Sequence, residues 1–424
     1  MIRRIENLFE LPRVVDSIIF FDVDGTLVAD GGNLLNKDTI SILEKTKENN
    51  SLFFISNKRA ADGRNKVVSK QIGVVFLEGK KPWLKIPLDL ANSGKKNIVV
   101  GDKFLTDGLF AIWNDADFFK VDHFRSKSDS LLIKISYMVD DVAFFVFSAV
   151  CLFRIKHWIK NLFVFAPLFF AKDIFDVSKL LNVSVAFFAF SFCASGVYAI
   201  NDIFDRKIDG NHPHKRGRPV ASGAISPLAA GILSVCLFTL GLFLASTVNF
   251  ALAQILLAYI FLNIVYSLYL KNIPILDIVA IAAMYDIRVE AGALAADVFM
   301  SRWIILSVFF VSLLLAIGKR MAETKQGVTR DVLKDYGNGF LTQALYLTAG
   351  LTIVTYGVYC ILGVESPLAV YSIVFVVTGV FKYLLALDQS DKGAEYPERL
   401  VLSDRTILFS ILCWVVYMFL IFYF

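Results

Sequence analysis

The sequence has 424 residues, of which 56% are hydrophobic and 19% charged, whereas soluble domains are closer to half apolar and a quarter charged. This excess of apolar residues excludes an ordinary soluble protein. The net charge of +5 is small for the length, and the basic residues lie beside apolar stretches, so no nucleic-acid partner is predicted. Five cysteines without CxxC spacing exclude a disulfide framework or a zinc site as the organising feature.

The composition changes along the chain. Charged residues occur every few positions up to about residue 135, whereas beyond about residue 140 they form short clusters between long apolar stretches. We therefore predict an α/β domain over residues 1–135, an amphipathic connector over 136–158 and an all-α membrane domain over 159–424. The connector mixes basic and apolar residues, so it would lie in the membrane interface or act as a simple linker into the first span.

Three apolar runs in the first domain have the length of strands and alternate with helical stretches. They lie within residues 17–28, 51–57 and 96–107. This alternation predicts a Rossmann-like parallel sheet flanked by helices, and the functional residues of such sheets gather at the carboxyl ends of the strands. No signal-type apolar run precedes these strands, so we expect this domain in the cytosol.

Polar residues with the chemistry of a phosphatase follow these runs. Asp22 is a candidate nucleophile that attacks phosphorus, and Asp24 can protonate the leaving oxygen and later activate water. Ser56 and Lys81 are suited to hold the phosphoryl oxygens. Carboxylates also bind magnesium in such sites, and the predicted ligands are Asp22, Asp24, Asp102 and Asp107.

These residues occur in the order found in the haloacid dehalogenase (HAD) superfamily of phosphatases, which residues 15–125 resemble. The segments SNK (56–58), KKP (80–82) and GDKFLTD (101–107) are most similar to its capless phosphatidylglycerophosphate phosphatase branch. The resemblance implies an open, magnesium-dependent site for a phosphate carried by a large molecule such as a lipid. Two alternatives stay open: independent action on phosphatidylglycerophosphate, and a non-catalytic adaptor of the membrane domain.

Nine apolar stretches are candidate membrane spans, since about 20 helical residues cross a bilayer. They cover residues 159–171 with an extension back to 143, 178–200, 226–247, 249–269, 273–296, 301–318, 339–362, 366–387 and 406–424. Basic residues concentrate in the loops after the second, fourth, sixth and eighth spans. The positive-inside rule then places these loops and the N-terminal domain on the cytosolic side, and we predict a multi-pass protein of the inner (cytoplasmic) membrane.

Three aspartates share one helix face at the cytosolic end of the second span. Asp202, Asp205 and Asp209 are spaced i, i+3, i+7. Magnesium prefers oxygen ligands and is often shared with substrate phosphates, so we predict that these aspartates form a catalytic magnesium site. A basic cluster suited to the phosphates follows; its candidate residues are Lys215, Arg216 and Arg218.

The predicted fifth span contains ionisable residues, which inside a membrane indicate a functional site by default. Asp277 and Arg288 are eleven residues apart and lie on one stripe of a helix. Asp277 is a candidate metal-linked carboxylate facing the first aspartate motif, and Arg288 is a candidate substrate contact. Asp286 and Glu290 fall on roughly the opposite face and receive no role.

Residues 150–424 resemble the UbiA superfamily of intramembrane prenyltransferases, and within it the decaprenyl-phosphate phosphoribosyltransferase branch. The resemblance rests on RIKHWIKNLFVFAP (154–167), NDIFDRKIDGNHPHKRGRPVASG (201–223), YSLYLKNIPILD (266–277), RVEAGALA (288–295), GKRMAE (318–323) and PERLVLSDR (397–405). It implies magnesium-dependent transfer of 5-phosphoribose from phosphoribosyl pyrophosphate to a polyprenyl phosphate. The further substrate contacts that it implies are Lys160, Asn161, Asn201 and Lys319. Met284, Tyr285 and Asp286 stand where the branch usually has Gly, Phe and an apolar residue, which leaves the acceptor open.

The two halves could act in sequence. The product of this transfer carries a 5-phosphate at the cytosolic membrane surface, and a tethered phosphatase would remove it at high effective concentration. The result would be polyprenyl-phosphate ribose, a pentose donor for cell-envelope glycans. The alternative is a UbiA-type prenyltransferase that alkylates an aromatic acceptor with a prenyl diphosphate, fused to a lipid-phosphate phosphatase. The sequence leaves open the polyprenyl length and whether the chain forms a homo-oligomer.

Overall fold

The structure is a computed structural model that describes residues 1–28, 34–57, 64–77, 79–123, 130–212, 215–325, 331–336, 339–389 and 403–424, without the side chains of 64–66 and 331. The described chain forms two compact units. One comprises Met1–Ile155 with Tyr198–Ser234, and the other comprises Lys156–Val197 with Val235–Phe424. The aspartate-rich segment that follows residue 198 therefore groups with the N-terminal sheet. Much of the predicted PERLVLSDR segment lies outside the described residues.

Six parallel strands form the core of the first unit. They are β1 (Ile2–Ile5), β2 (Ser17–Asp22), β3 (Ser51–Ile55), β4 (Val75–Leu77), β5 (Lys96–Gly101) and β6 (Asp117–Val121), in the spatial order β1-β6-β5-β2-β3-β4. Strand β2 pairs on both sides and is buried along its whole length. A parallel strand that is covered on both faces has a continuous apolar sequence, and the predicted parallel sheet is confirmed.

Alternate residues of β2 face two separate apolar clusters, as the two-residue repeat of a strand requires. Ile19 and Phe21 pack on one side with Leu43, whereas Phe20 packs on the other side with Phe110. The covering helices are α1 (Lys37–Lys47), α2 (Arg64–Ile72), α3 (Leu88–Ala91) and α4 (Leu109–Trp113).

Residues 136–153 of the predicted connector belong to a single long helix, α5 (Leu131–Phe153), whereas its last residues begin the 3₁₀ helix Ile155–Phe165. Helix α5 begins earlier than the predicted residue 136 because Ser130 caps it, accepting a hydrogen bond from the backbone N–H of Ile133 at 3.4 Å. Phe144 lies in the second cluster of the sheet, with its ring 5.6 Å from that of Phe104. Helix α5 is therefore joined to the sheet by its own packing.

The remaining helices are α6 (Ala166–Phe170), α7 (Val177–Phe204), α8 (Arg206–Asn211), α9 (Pro227–Val248), α10 (Phe250–Leu268), α11 (Leu276–Ala296), α12 (Arg302–Lys325), α13 (Asp331–Asp335), α14 (Phe340–Leu362), α15 (Ile373–Gln389) and α16 (Arg405–Tyr423). Among the described residues, eight helices are long and apolar enough to cross a membrane: α5, α7, α9, α10, α12, α14, Pro367–Gln389 and α16. The chain is a multi-pass membrane protein.

Two of the nine predicted spans differ from this set. The stretch 159–171 is not one helix: it contains the end of a 3₁₀ helix, Ile155–Phe165, and then α6. Lys160 and Asn161 interrupt its apolar sequence. The span predicted at 273–296 is α11, a helix of 21 residues that carries four acidic or basic side chains and is therefore less apolar than the eight. Each of the other predicted spans coincides with a helix.

Candidate functional site

The predicted phosphatase residues lie together at the carboxyl edge of the sheet, and we call this group the phosphatase-like site. Asp22 ends β2, and Lys81 donates to its Oδ1 at 2.6 Å. Lys81 also contacts Oδ1 of Asp107, which lies in the π-helical turn Phe104–Gly108 after β5. Asn57 fixes Lys81 by accepting from its backbone N–H at 2.7 Å and donating to its carbonyl at 3.2 Å. Parallel topology thus brings together side chains that are far apart in the chain.

Three buried carboxylates at this edge fit a divalent cation. Asp22, Asp102 and Asp107 offer oxygens that lie within 4.8 Å of one another. Burial raises the pKa of Asp22 and of Asp107, and the charge of Asp107 raises the pKa of Asp22 further. Burial opposes the charge of Lys81, but the two carboxylates that it contacts outweigh this and raise its pKa. One ammonium cannot neutralise three carboxylates, so bound magnesium would complete the charge balance.

Asp24 stands slightly apart from this group and is paired with Ser56, whose hydroxyl donates to Oδ2 of Asp24 at 2.9 Å. Asp24 was predicted as a fourth metal ligand, and that role stays a prediction. The glycine that follows it allows a close approach: Gly25 has φ +76°, and a Cβ there would lie 2.7 Å from Nδ1 of His123 and 2.8 Å from the hydroxyl of Tyr137.

Two aromatic residues that were not predicted from the sequence contact this site. The hydroxyl of Tyr137, on α5, donates to Oδ2 of Asp102 at 2.5 Å, and Nδ1 of His123 lies 3.1 Å from the same oxygen. The rings of His123 and Tyr137 are 3.7 Å apart. Tyr137 lies in a stretch that mixes charged and apolar residues, and this pattern does not indicate a distant partner.

A further residue of α5 holds the turn that carries the metal-site residues. Asp140 is buried and accepts from the backbone N–H groups of Phe104 at 2.9 Å and Leu105 at 2.7 Å. Lys120 neutralises it at 2.5 Å. Helix α5 therefore forms one wall of the phosphatase-like site and fixes its loop after β5.

The aspartates of the second predicted motif lie at the end of α7 and in α8. Asp202 is buried, and its Oδ1 accepts from Arg154, the residue that follows α5, and from Arg218 at 3.4 Å. Arg218 also donates to Oδ2 of Asp209 at 2.5 Å. Asp205, between the two helices, is half-buried. The structure thus brings Asp202 and Asp209 together around the guanidinium of Arg218.

Two buried atoms of this cluster have no hydrogen-bond partner among the described residues: Oδ2 of Asp202 and Nε of Arg216. Burying such atoms unpaired is unfavourable. A bound cation would satisfy the carboxylate oxygen and a bound anion the guanidinium, so the residues fit magnesium together with a phosphate-bearing ligand.

A cavity of about 480 Å³ opens beside Arg216. Arg154, Arg216 and Arg218 line one part of it. Another part is lined by Lys96 and Asp117, the first residues of β5 and β6. The aspartate cluster therefore lies at the amino edge of the sheet, whereas the phosphatase-like site lies at the carboxyl edge.

The other predicted contacts of this segment, Asn201 and Lys215, are half-buried, as are Lys160 in the 3₁₀ helix and Lys319 in α12. Their roles as substrate contacts stay predictions.

Arg288 and Asn161, predicted separately, are bonded to each other in the second unit. Nε of Arg288 donates to the side-chain oxygen of Asn161 at 3.0 Å, and the same guanidinium donates to the hydroxyl of Tyr259 at 3.2 Å. It also faces the rings of Phe190, Tyr259 and Tyr285 at 5.2, 5.3 and 4.9 Å. Such cation–π contacts stabilise a desolvated guanidinium, so this cation is held inside the bundle by rings and neutral acceptors.

Asp277 is fully buried and both of its oxygens are paired. Nε of Arg320 donates to Oδ2 at 2.6 Å, and the hydroxyl of Tyr336 donates to Oδ1. Arg320 also donates to Glu323 at 2.7 Å. Asp277 thus joins α11, α12 and the segment after α13, and its predicted metal contact stays a prediction. Arg320, next to the predicted Lys319, was missed because a basic residue near a span end usually indicates orientation alone.

Comparison with known proteins concerns mainly the C-terminal part. A profile of the UbiA prenyltransferase family matches residues 162–403. The decaprenyl-phosphate phosphoribosyltransferase of Corynebacterium glutamicum is 33% identical over 276 residues, which are 62% of this chain and 82% of that protein. The enzyme of the same name from Mycolicibacterium smegmatis is 32% identical over 285 residues, or 62% of this chain and 88% of that protein.

A solved structure shares the fold. A UbiA homologue from Archaeoglobus fulgidus, determined with GPP and Mg²⁺, aligns with a TM-score of 0.52 at 18% identity and covers 65% of this chain and 99% of that one. The family profile covers more than half of the chain, and the relatives and the solved structure are matched over most of their own length. The chain is therefore an enzyme of the UbiA prenyltransferase family.

Proposed function

We propose that the chain transfers 5-phosphoribose from phosphoribosyl pyrophosphate to a polyprenyl phosphate at the cytosolic face of a membrane. The names of the two bacterial relatives support this choice. The observation that carries it is the cluster of Asp202, Asp209, Arg154, Arg216 and Arg218. In this cluster one carboxylate oxygen and one guanidinium nitrogen are buried and have no hydrogen-bond partner in the described part of the chain. The carboxylate oxygen could bind magnesium and the guanidinium nitrogen could bind a phosphate oxygen, as a magnesium-complexed diphosphate requires.

The transfer is a displacement at the anomeric carbon. A phosphate oxygen of the lipid forms a bond to that carbon, the bond to the pyrophosphate oxygen breaks, and pyrophosphate leaves with the electron pair. Arg216 and Arg218 bind the oxygens on which negative charge accumulates, and preorganised cations of this kind lower the barrier. Arg154 and Arg218 hold Asp202 in place through its Oδ1. Asn161 and Arg288 stay candidates to position the substrate.

The N-terminal domain is proposed to be a HAD-type phosphatase that removes the 5-phosphate. Asp22 attacks phosphorus and forms an acyl phosphate, while Asp24 gives its proton to the departing ribose oxygen. Asp24 then takes a proton from water, which attacks the acyl phosphate, releases inorganic phosphate and restores Asp22. Lys81 and Ser56 bind the phosphoryl oxygens. Magnesium bound by Asp22, Asp102 and Asp107, and by the aspartates of α7 and α8, would supply positive charge that neutralises phosphate oxygens.

The test is to incubate the purified chain with magnesium, labelled phosphoribosyl pyrophosphate and a polyprenyl phosphate, and to follow label in the lipid phase. We expect a lipid with a 5-phosphate first and the dephosphorylated lipid later. Accumulation of the first product by Asp22→Asn would identify the domain responsible for the second step. Absence of label in lipid, together with transfer from a prenyl diphosphate to an aromatic acceptor, would contradict the phosphoribosyl proposal.

A further inference from the structure

Helix α5 has one exposed apolar face along most of its length. Large apolar residues at helical spacing are open there: Leu131, Leu132, Ile135, Met138, Val139, Val142, Phe145, Val146 and Val150. An apolar stripe of this width normally packs against a core, and a patch of this size on a protein surface indicates an interaction site. The only charged residues exposed along the helix are Lys134 and Asp141.

The opposite face of α5 is fixed to the phosphatase-like site. Tyr137, Asp140 and Phe144 lie on it and contact Asp102, the turn after β5 and the ring of Phe104. Lys103, in the metal-site loop, donates to Ser136 at 3.0 Å. These contacts extend over the first half of the helix.

These contacts argue against a bilayer crossing by α5, although its length and composition would allow one. A crossing helix would carry residues 137–144 into the hydrocarbon, and with them the sheet and its buried carboxylates. Charged groups and strand edges are excluded from that region. A helix that is apolar on one face and bound to a soluble domain on the other is suited to the membrane–water interface.

We propose that the exposed face of α5 lies in the surface of the lipid bilayer and that it presents the phosphatase-like site to phosphate groups of membrane lipids. Two observations favour lipid as the occupant. The chain is a multi-pass membrane protein, and α5 continues after Arg154 directly into the segment that begins the membrane domain. The exposed cation at the amino end, Lys134, suits anionic headgroups.

This placement determines the substrate class of the site and rests on the proposed phosphatase function. Tyr137 and Asp140 lie on the face opposite to the stripe and contact the metal-site residues, so the bilayer surface and the site are separated by little more than one helix diameter, about 10 Å. A phosphate attached to a membrane lipid is then within reach, whereas a soluble ester gains nothing from the bilayer.

The direct test places spin labels at Leu132, Val139 and Val146, one at a time, in the full-length chain in lipid nanodiscs after replacement of the five native cysteines. These positions are seven residues apart on one face and are exposed by 78%, 50% and 53%. We expect all three labels to be accessible to oxygen, protected from a water-soluble nickel chelate and at similar, shallow depths. A label at Leu88, exposed by 77% in the same unit, is the control and is expected in water.

Three outcomes would overturn the proposal. Labels at all three positions that are as open to the chelate as Leu88 would place the face in water. A depth that is greatest at Val139 and decreases toward both ends would show a crossing helix. Protection from both oxygen and chelate would show that protein, such as a second copy of this chain, covers the face.

Activity gives an independent measurement. The double variant Val139→Glu, Val146→Glu is expected to lower the turnover of a vesicle-embedded polyprenyl-phosphate 5-phosphoribose about tenfold, because the charges oppose insertion. Its turnover of soluble p-nitrophenyl phosphate should be unchanged, and Leu88→Glu should change neither rate. Equal losses on both substrates would contradict the proposal. If the wild type hydrolyses neither, the phosphatase function is wrong, and the label depths alone decide the placement of α5.

Discussion

The two carboxylate clusters of this chain differ in how they are assembled and in how their charge is balanced. At the carboxyl edge of the sheet, Asp22 ends β2, whereas Asp102 and Asp107 both follow β5. Lys81, the counter-ion of Asp22 and Asp107, has a side chain that is only 2% exposed. In the aspartate motif the carboxylates follow one another along α7 and α8. Their counter-ions there, Arg154 and Arg218, have side chains that are 18% and 25% exposed.

This contrast shows that a buried cluster of charged side chains does not necessarily have unpaired atoms that could bind a ligand. Lys81 binds two of the three carboxylates and neutralises part of their negative charge. The rest of that negative charge stays buried in the N-terminal cluster. In the second cluster, Oδ2 of Asp202 and Nε of Arg216 are buried without partners among the described residues. The first cluster is therefore expected to respond to changes mainly through stability and protonation, and the second mainly through ligand binding.

The largest expected effect is on transfer. Asp202→Asn removes the charge of the unpaired oxygen, and we expect the rate of phosphoribosyl transfer to fall about 10³-fold. The measurement is label incorporation into lipid, with Glu365→Gln, an exposed carboxylate at 94%, as the control. Dephosphorylation of supplied 5-phosphorylated lipid should be unchanged, and a parallel loss of that activity would remove the distinction between the two clusters.

Lys81→Met tests the internal compensation of the N-terminal cluster. Removal of one partner leaves buried charges uncompensated, which typically costs about 3–5 kcal/mol. We expect faster hydrogen exchange in peptides from β2 and β5 and loss of phosphatase activity. Lys80→Met, at the neighbouring exposed position, is the matched control, and an equal effect of both variants would contradict the assigned pairing.

The network around Asp277 is an intermediate case, because both carboxylate oxygens of Asp277 are paired. Asp277→Asn and Arg320→Met should each destabilise the membrane unit, and the double variant should cost less than their sum by about 1–3 kcal/mol. Unfolding in mixed detergent micelles measures these free energies, with the exposed Asp335→Asn as control. Additive effects would mean that the two side chains do not stabilise each other.

The smallest expected effect is a pH dependence. The pKa of Asp22 is raised in the folded chain, so the unfolded chain loses this proton first and stability falls as the pH rises from about 4 through the raised value. Without magnesium, exchange in the β2 peptide, corrected for its intrinsic rate, should therefore increase over that range. Asp22→Asn should remove most of this dependence, and magnesium should oppose it; an unchanged profile in the variant would assign the dependence to another group.

Local patterns in the sequence predicted the parts of this molecule that depend on local physics. The strand at 17–22 was predictable because a strand buried on both faces is apolar throughout. The single helix face predicted for Asp202, Asp205 and Asp209 was wrong, because the helix is interrupted at Asp205, so that Asp202 lies in α7 and Asp209 in α8. The pairing of Lys81 with Asp107 and the bond from Arg154 to Asp202 were not predictable, since tertiary packing alone brings these residues together. The first span was placed at 159–171 because the apolar content of that stretch does not show that its backbone is divided between a 3₁₀ helix and α6.

The two clusters lie near opposite ends of α5, and this separation affects how the lipid product of the first reaction reaches the second site. Tyr137, beside one cluster, and Arg154, beside the other, are separated by about 25 Å of helix. If the proposed transfer takes place at the aspartate motif, we therefore expect its product to leave that motif and enter a common pool in the bilayer before it reaches Asp22. A chain with Asp22→Asn and a chain with Asp202→Asn should then complement each other in one vesicle, and other lipid-modifying enzymes would compete for the same intermediate.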